Sequence, residues 1–205
     1  MNRTIRTLSA FVLLTILAAF ALATGQEEKP GQPAMSPEEQ AMMEKWQTYM
    51  TPGPEHLKMA RFVGSWNVRA KLWMQPGTEP QLSEATAEVT SILGDRFLQM
   101  TYTGSFMGMP FEGRNLLGYD NYTKKYTSIW FDSMGTGFYL TSGTCDDAGK
   151  VCTETGIWDD AVTEQKVAVR TVTTWKDKNT IVMETYSTYP DTPEFKSMEL
   201  FYTRR

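Results

Sequence analysis

The stretch Gly64-Ser65-Trp66-Asn67-Val68-Arg69-Ala70-Lys71-Leu72-Trp73-Met74 decides the fold. Trp66, Val68, Ala70, Leu72 and Met74 alternate with Asn67, Arg69 and Lys71, the period of two expected of a strand with one buried face. The rhythm then continues to the C-terminus. Strand-like runs fall near 83–93, 96–106, 111–119, 124–132, 136–145, 150–158, 165–175, 179–188 and 195–204. Short turn-forming segments join them: Gly94-Asp95, Asp120-Asn121, Ser133-Met134-Gly135 and Lys176-Asp177-Lys178-Asn179. Consecutive strands with no helix between them predict an antiparallel up-and-down meander. A meander of about ten strands closes into a β-barrel, because closure removes both exposed edges. The expected class is therefore all-β, with a short helical segment in front. Gly104, Gly108, Gly113, Gly135 and Gly137 are expected to mark bulges or corners where strands bend.

Upstream of the strands, Ser36-Pro37-Glu38-Glu39 is a helix start: Ser as N-cap, Pro at the first helical position, and Glu39 completing a capping box. Met42, Met43, Trp46 and Met50 would form its apolar stripe. Thr51-Pro52-Gly53-Pro54 breaks that helix, and a second short one is expected over Glu55–Arg61. Thr24 to Ala34 is polar and rich in Gly and Pro, as a tether is. Ahead of it, Arg3 and Arg6 precede an uncharged apolar run from Ala10 to Leu22, and Ala21-Leu22-Ala23 has the small-x-small form of a cleavage site. The run is short for a membrane span. Residues 1–23 are thus expected to be a signal peptide cut after Ala23, with an uncleaved N-terminal anchor as the alternative. No Cys follows the run to take a lipid. The chain then divides into signal peptide (1–23), linker (24–35), helical segment (36–61) and barrel (62–205). The mature protein would be periplasmic or secreted, with no stable membrane span.

Composition narrows the function classes. The 205 residues carry 20 Lys and Arg against 24 Asp and Glu, a net charge of −4 that falls to −6 once Arg3 and Arg6 leave with the signal. A mildly acidic surface argues against non-specific nucleic-acid binding, which needs clustered cations. Cys145 and Cys152 flank Asp146-Asp147-Ala148-Gly149-Lys150, a turn with Gly suited to the left-handed position. Across such a hairpin the two thiols would meet, so a disulfide is expected in an oxidising compartment. A redox-active or metal-binding pair is the alternative, although the spacing is wider than C-x-x-C and no His lies nearby.

Four segments carry a family resemblance: MSPEEQAMMEKW (35–46), TPGPEHLKMARFVGSWNV (51–68), GSFMGMPFEGRNLLGYDNYTKKYTSIWFDSMGTGF (104–138) and the closing ELFYTRR (199–205). Together they resemble domain-of-unknown-function family 1579, an uncharacterised bacterial family considered calycin-like. The resemblance implies a lipocalin-type barrel and no established activity. In such barrels the Trp of a G-x-W motif on the first strand closes one end, and a basic side chain from the last strand covers its ring, a cation–π contact. Gly64, Trp66 and Arg204 would fill those places. The Cys145–Cys152 pair is an addition to the family pattern.

Candidate site residues follow from a barrel that holds something. Trp66, Trp130, Phe131, Tyr139 and Trp158 would supply aromatic walls, and Met107, Met109 and Met134, in Gly-rich turns, a flexible portal. Thioether capture of Cu(I) is the alternative for the methionines. Arg114 and Arg170, if inward, could pair with a ligand carboxylate; facing outward they could not. His56 is the only histidine, which excludes a metal site built on several imidazoles. Three readings stay open for it: a helix-end His bonded to the rim or solvent, a polar ligand contact or general base, and an axial haem ligand. The haem-binding ten-stranded barrels carry that ligand on a late strand, where this chain has no His. Glu112, Asp120, Asp132 and Asp159 are not spaced to pair as acid and base. No metal and no cofactor is expected. The leading reading is an exported binding protein for a small apolar or amphipathic molecule. The alternatives are an enzyme in the same cavity, with His56 or a carboxylate as base, and a solidly packed barrel acting as an interaction module.

Overall fold

The computed structural model describes residues 35–205. The expected signal peptide and the linker up to residue 34 lie outside the described residues. The chain divides into two units, Met1–Thr51 and Pro52–Arg205. In the first, α1 (Pro37–Met50) begins with the expected capping box: Glu39 N–H donates to Ser36 Oγ at 3.3 Å, and Ser36 N–H donates to the Glu39 carboxylate at 2.8 Å. Of its expected apolar stripe Met43 is buried, whereas Trp46 and Met50 stay exposed.

The second unit opens with α2 (Pro54–Ala60) and continues as ten strands. These are β1 (Gly64–Leu72), β2 (Gln81–Ile92), β3 (Phe97–Phe106), β4 (Met109–Asp120), β5 (Lys125–Asp132), β6 (Tyr139–Cys145), β7 (Val151–Asp160), β8 (Gln165–Asp177), β9 (Thr180–Thr188) and β10 (Phe195–Arg204). Each pairs antiparallel with its neighbours in sequence, and β1 pairs with β10, so the meander closes as the alternation predicts. The closing seam runs from Trp66 opposite Arg204 to Leu72 opposite Met198.

The glycines do not mark bulges. The register slips instead between Trp175 and Asp177 in β8 and between Lys196 and Met198 in β10. Gly108 sits with Met107 in the two-residue turn between β3 and β4, both at positive φ, the turn geometry that suits the twist of a hairpin. Gly113 makes room for an aromatic ring: a Cβ there would run into the Trp130 indole.

One end of the barrel is shut by rings. Trp66 is fully buried, with Phe62 at 5.4 Å, Trp175 at 6.1 Å and Tyr202 at 6.4 Å between ring centroids. Its indole N–H donates to the Phe62 carbonyl at 2.9 Å. The Arg204 guanidinium lies 4.2 Å from the Trp66 ring centroid, while its N–H groups donate to the carbonyls of Arg61, Val63 and Lys178. Gly64, at φ +131°, is what lets the guanidinium lie there, since a Cβ would come within 2.6 Å of Arg204 Nη1.

Polar pins hold α2 across the same end. Lys58 Nζ donates to the Asp147 carbonyl and Arg61 Nη2 to that of Gly149, both in the β6–β7 turn. Burial works against ionising Glu55, but hydrogen bonds from Lys58 and the Tyr126 hydroxyl hold its carboxyl below the ordinary range. Cys145 and Cys152 are Cα partners across that hairpin and are joined as a disulfide.

Candidate functional site

Closure settles which side chains look inward, because Cα partners on adjacent strands share a face. Starting from buried Trp66, the inner face of β1–β3 carries Val68, Ala87, Val89, Leu98, Met100 and Tyr102, all buried. The Tyr102 and Tyr202 hydroxyls meet at 3.1 Å and span the barrel between β3 and β10. The opposite wall differs in kind. From β5 to β8 its inner face includes small residues: Ser128, Thr141, Gly143, Gly156, Thr171 and Thr173. These six remain partly exposed although they point into a closed barrel. An eight-stranded barrel is about as wide as its own side chains can fill. Ten strands enclose more, and the hydroxyl side chains of this wall stay partly exposed inside it.

In this wall stands Glu154, on β7, with Gly143 as its partner on β6 and Thr171 on β8. The Ser128 hydroxyl lies 3.1 and 3.2 Å from its two oxygens, and the Thr141 hydroxyl lies 3.3 Å from Oε2. Burial pushes the carboxyl above its ordinary value, and the two hydroxyls offset this only in part. Nearer the far end, Trp130 donates its indole N–H to Asp132 at 2.6 Å and packs against Tyr102 at 5.1 Å. Tyr139 and Trp158 meet edge to face at 4.9 Å.

The sequence-derived site residues fall into four places. Trp130 and Tyr139 lie on the inner face. Met107, Met109 and Met134 stand at the rim opposite the ring-closed end, 63%, 48% and 44% exposed. Trp66 belongs to the floor. Arg114 and Arg170 face outward, a correction to any inward role: their strand partners Thr101 and Phe131, and Thr155 and Tyr186, are outer-face residues. Arg170 is bound through two N–H groups to Glu194, at 3.0 and 2.6 Å, and lies over Tyr186. Arg114 pairs with Glu112 at 3.3 Å. Two outer crevices, about 450 Å³ beside Arg170 and about 720 Å³ around Arg61 and Arg204, involve arginines already committed to these partners.

His56 is buried under the ring-closed end, and both ring nitrogens are in use. Nδ1 accepts from Gly53 N–H at 3.0 Å, and the ring bonds to the Tyr119 backbone. Burial holds it neutral, lowering its pKa. A base needs a nitrogen free to take a proton, and His56 has none to offer.

Residue spacing did not single out Glu154. The signal was present: Cys152, Glu154, Gly156 and Trp158 share one face of a strand. It was masked because Thr153 and Thr155 flank Glu154 on the outer face of β7 while threonines occupy both faces of β8, so residue type does not reveal which side is buried.

The family described as protein of unknown function (DUF1579) matches residues 51–204. The chain belongs to this family. Among solved structures, the fold is similar to that of Rv2717c from M. tuberculosis, at 16% identity and a TM-score of 0.57, over 76% of this chain and 99% of that one. That likeness concerns the barrel alone. No curated protein matches the chain.

In this DUF1579 barrel the internal carboxylate makes a pH-dependent contribution of known sign. A carboxyl whose folded-state pKa is raised favours the fold below its unfolded value and loses that contribution as pH rises through the folded one. Glu154→Gln is therefore expected to match the wild type in stability at about pH 4 and to exceed it at about pH 8. Urea unfolding at the two pH values measures this. A variant no more stable than wild type at the higher pH would mean that the carboxylate is well solvated.

Proposed function

We propose that this protein is an exported binding protein that holds a small apolar or amphipathic molecule in its barrel. The observation that carries the reading is the inner wall from β5 to β8, where Ser128, Thr141, Thr171 and Thr173 stay partly exposed inside a closed barrel. A barrel built as a solid interaction module would fill that width with side chains. Aromatic groups near the rim and a few internal polar ones are the usual furniture of a small-molecule site. The enzyme alternative loses His56 and would rest on Glu154, with no second titratable group hydrogen-bonded to it among the described residues.

Export is supported by the disulfide-forming pair. Among the described residues no helix is long and apolar enough to cross a membrane. The reading of residues 1–23 as a cleaved signal belongs to the same proposal.

One experiment tests both parts. The full-length gene is expressed in an exporting host, and the purified protein is measured by native and then denaturing mass spectrometry. The expected result is a chain beginning at Thr24 that carries an added small-molecule mass released on unfolding. A chain beginning at Met1 overturns the cleaved signal. A bare mass that stays bare after incubation with decanol, decylamine and decanoate overturns binding.

A further inference from the structure

We propose that the lumen is built for a cationic head group, a protonated amine on an apolar body, with Glu154 as its counter-ion; this rests on the binding reading above. Glu154 is held by two neutral hydroxyls, and among the described residues no Lys, Arg or His approaches it. Strand cations point away from the lumen, among them Arg114 and Arg170, paired on the outer face, and Lys196, held there between Glu184 and Glu199. Arg204 is the exception, and it is spent on Trp66 and three carbonyls.

The remaining inward carboxylates are satisfied where they stand. Asp132 accepts from the Trp130 indole and the Met134 amide, and Asp160 accepts from the Tyr189 hydroxyl and the Val162 and Thr163 amides. Neither brings a positive charge inside. The interior is thus acidic without compensation, the reverse of a cavity meant for a fatty acid.

A glutamine would hold the same hydroxyls without the desolvation cost of a carboxylate. What a carboxylate adds is affinity for a cation. The surroundings agree: Gly143 lets the β7 backbone at Thr153 and Glu154 come close, since a Cβ there would run into the Thr153 carbonyl, and the partners beside Glu154 on the inner face are hydroxyl side chains. Trp158 and Tyr139 offer aromatic faces between Glu154 and the rim, a second attraction for an ammonium group.

Three probes with the same chain and different heads test this: decylamine, decanol and decanoate, each below its micelle concentration and followed by tryptophan fluorescence and calorimetry. The wild type is expected to bind decylamine about tenfold or more above decanoate, the factor that one partly shielded charge pair supplies. Glu154→Gln is expected to lose that preference while keeping its affinity for decanol. Glu154→Leu serves as a second variant, and thermal unfolding confirms that both are folded. Equal binding of the three probes by wild type, or an amine affinity unchanged in both variants, overturns the cationic inference and leaves the binding reading in place. Binding of none of the three by folded wild type removes the binding reading and this inference with it.

Discussion

Trp66→Ala is expected to cost about 3–5 kcal/mol of stability, the range for deleting a large buried aromatic side chain. At roughly 2–4 °C per kcal/mol for a chain of this size, the thermal midpoint should fall by about 10 °C or more. The loss has three parts. The indole is fully buried, and it fills the space between Phe62, Trp175 and Tyr202. Its N–H satisfies the Phe62 carbonyl, which tethers the segment leading out of α2. Its face also carries the Arg204 guanidinium at the seam where the last strand joins the first. Without the ring, that cation rests over a void, and the closure of β1 on β10 loses its plug. Differential scanning calorimetry of wild type and variant decides the matter. A shift of only a few degrees would mean that the neighbouring rings collapse into the vacancy and that the seam is held by its backbone ladder alone.

The second large effect concerns the hairpin beneath α2. Replacing Cys145 and Cys152 by alanine is expected to lower stability by about 2–3 kcal/mol, mainly by freeing the unfolded chain across a short loop. That corresponds to a fall in thermal midpoint of roughly 5–10 °C. The bond does more than join β6 to β7. The turn it brackets supplies the Asp147 and Gly149 carbonyls that receive Lys58 and Arg61, so the disulfide also steadies the seat of α2. Adding reductant to the wild type should reproduce the loss, and adding it to the double variant should change nothing. A double variant as stable as wild type would show that the pins from α2 and the strand pairing already hold the hairpin without the bond.

Local patterns in the chain reach the hairpins but not the inner face of the barrel. Hairpins were legible because Gly94-Asp95, Asp120-Asn121 and their like can be little else between two alternating runs. The role of Trp66 under Arg204 was legible through the family pattern, and the structure puts the two as strand partners. The inner set was not. Arg114 and Arg170 sit among valines and leucines whose own exposure varies, so local pattern leaves their direction open. The register resolves it through Trp66: each partner across β1, β2, β3 and β4 inherits a face, and Arg114 inherits the outer one. Glu154 is hidden for the same reason, amid threonines that suit either face.

Residue order was enough for strand number, turn positions, helix capping and the facing cysteines, because each depends on contacts within a few residues or across one hairpin. Inside and outside belong to the closed barrel. A strand has two faces of equal geometry, and only the pairing of β1 with β10 turns one of them inward. Closure is therefore what turns the arginines outward, faces the Ser, Thr and Gly wall inward, and places one uncompensated carboxylate inside it.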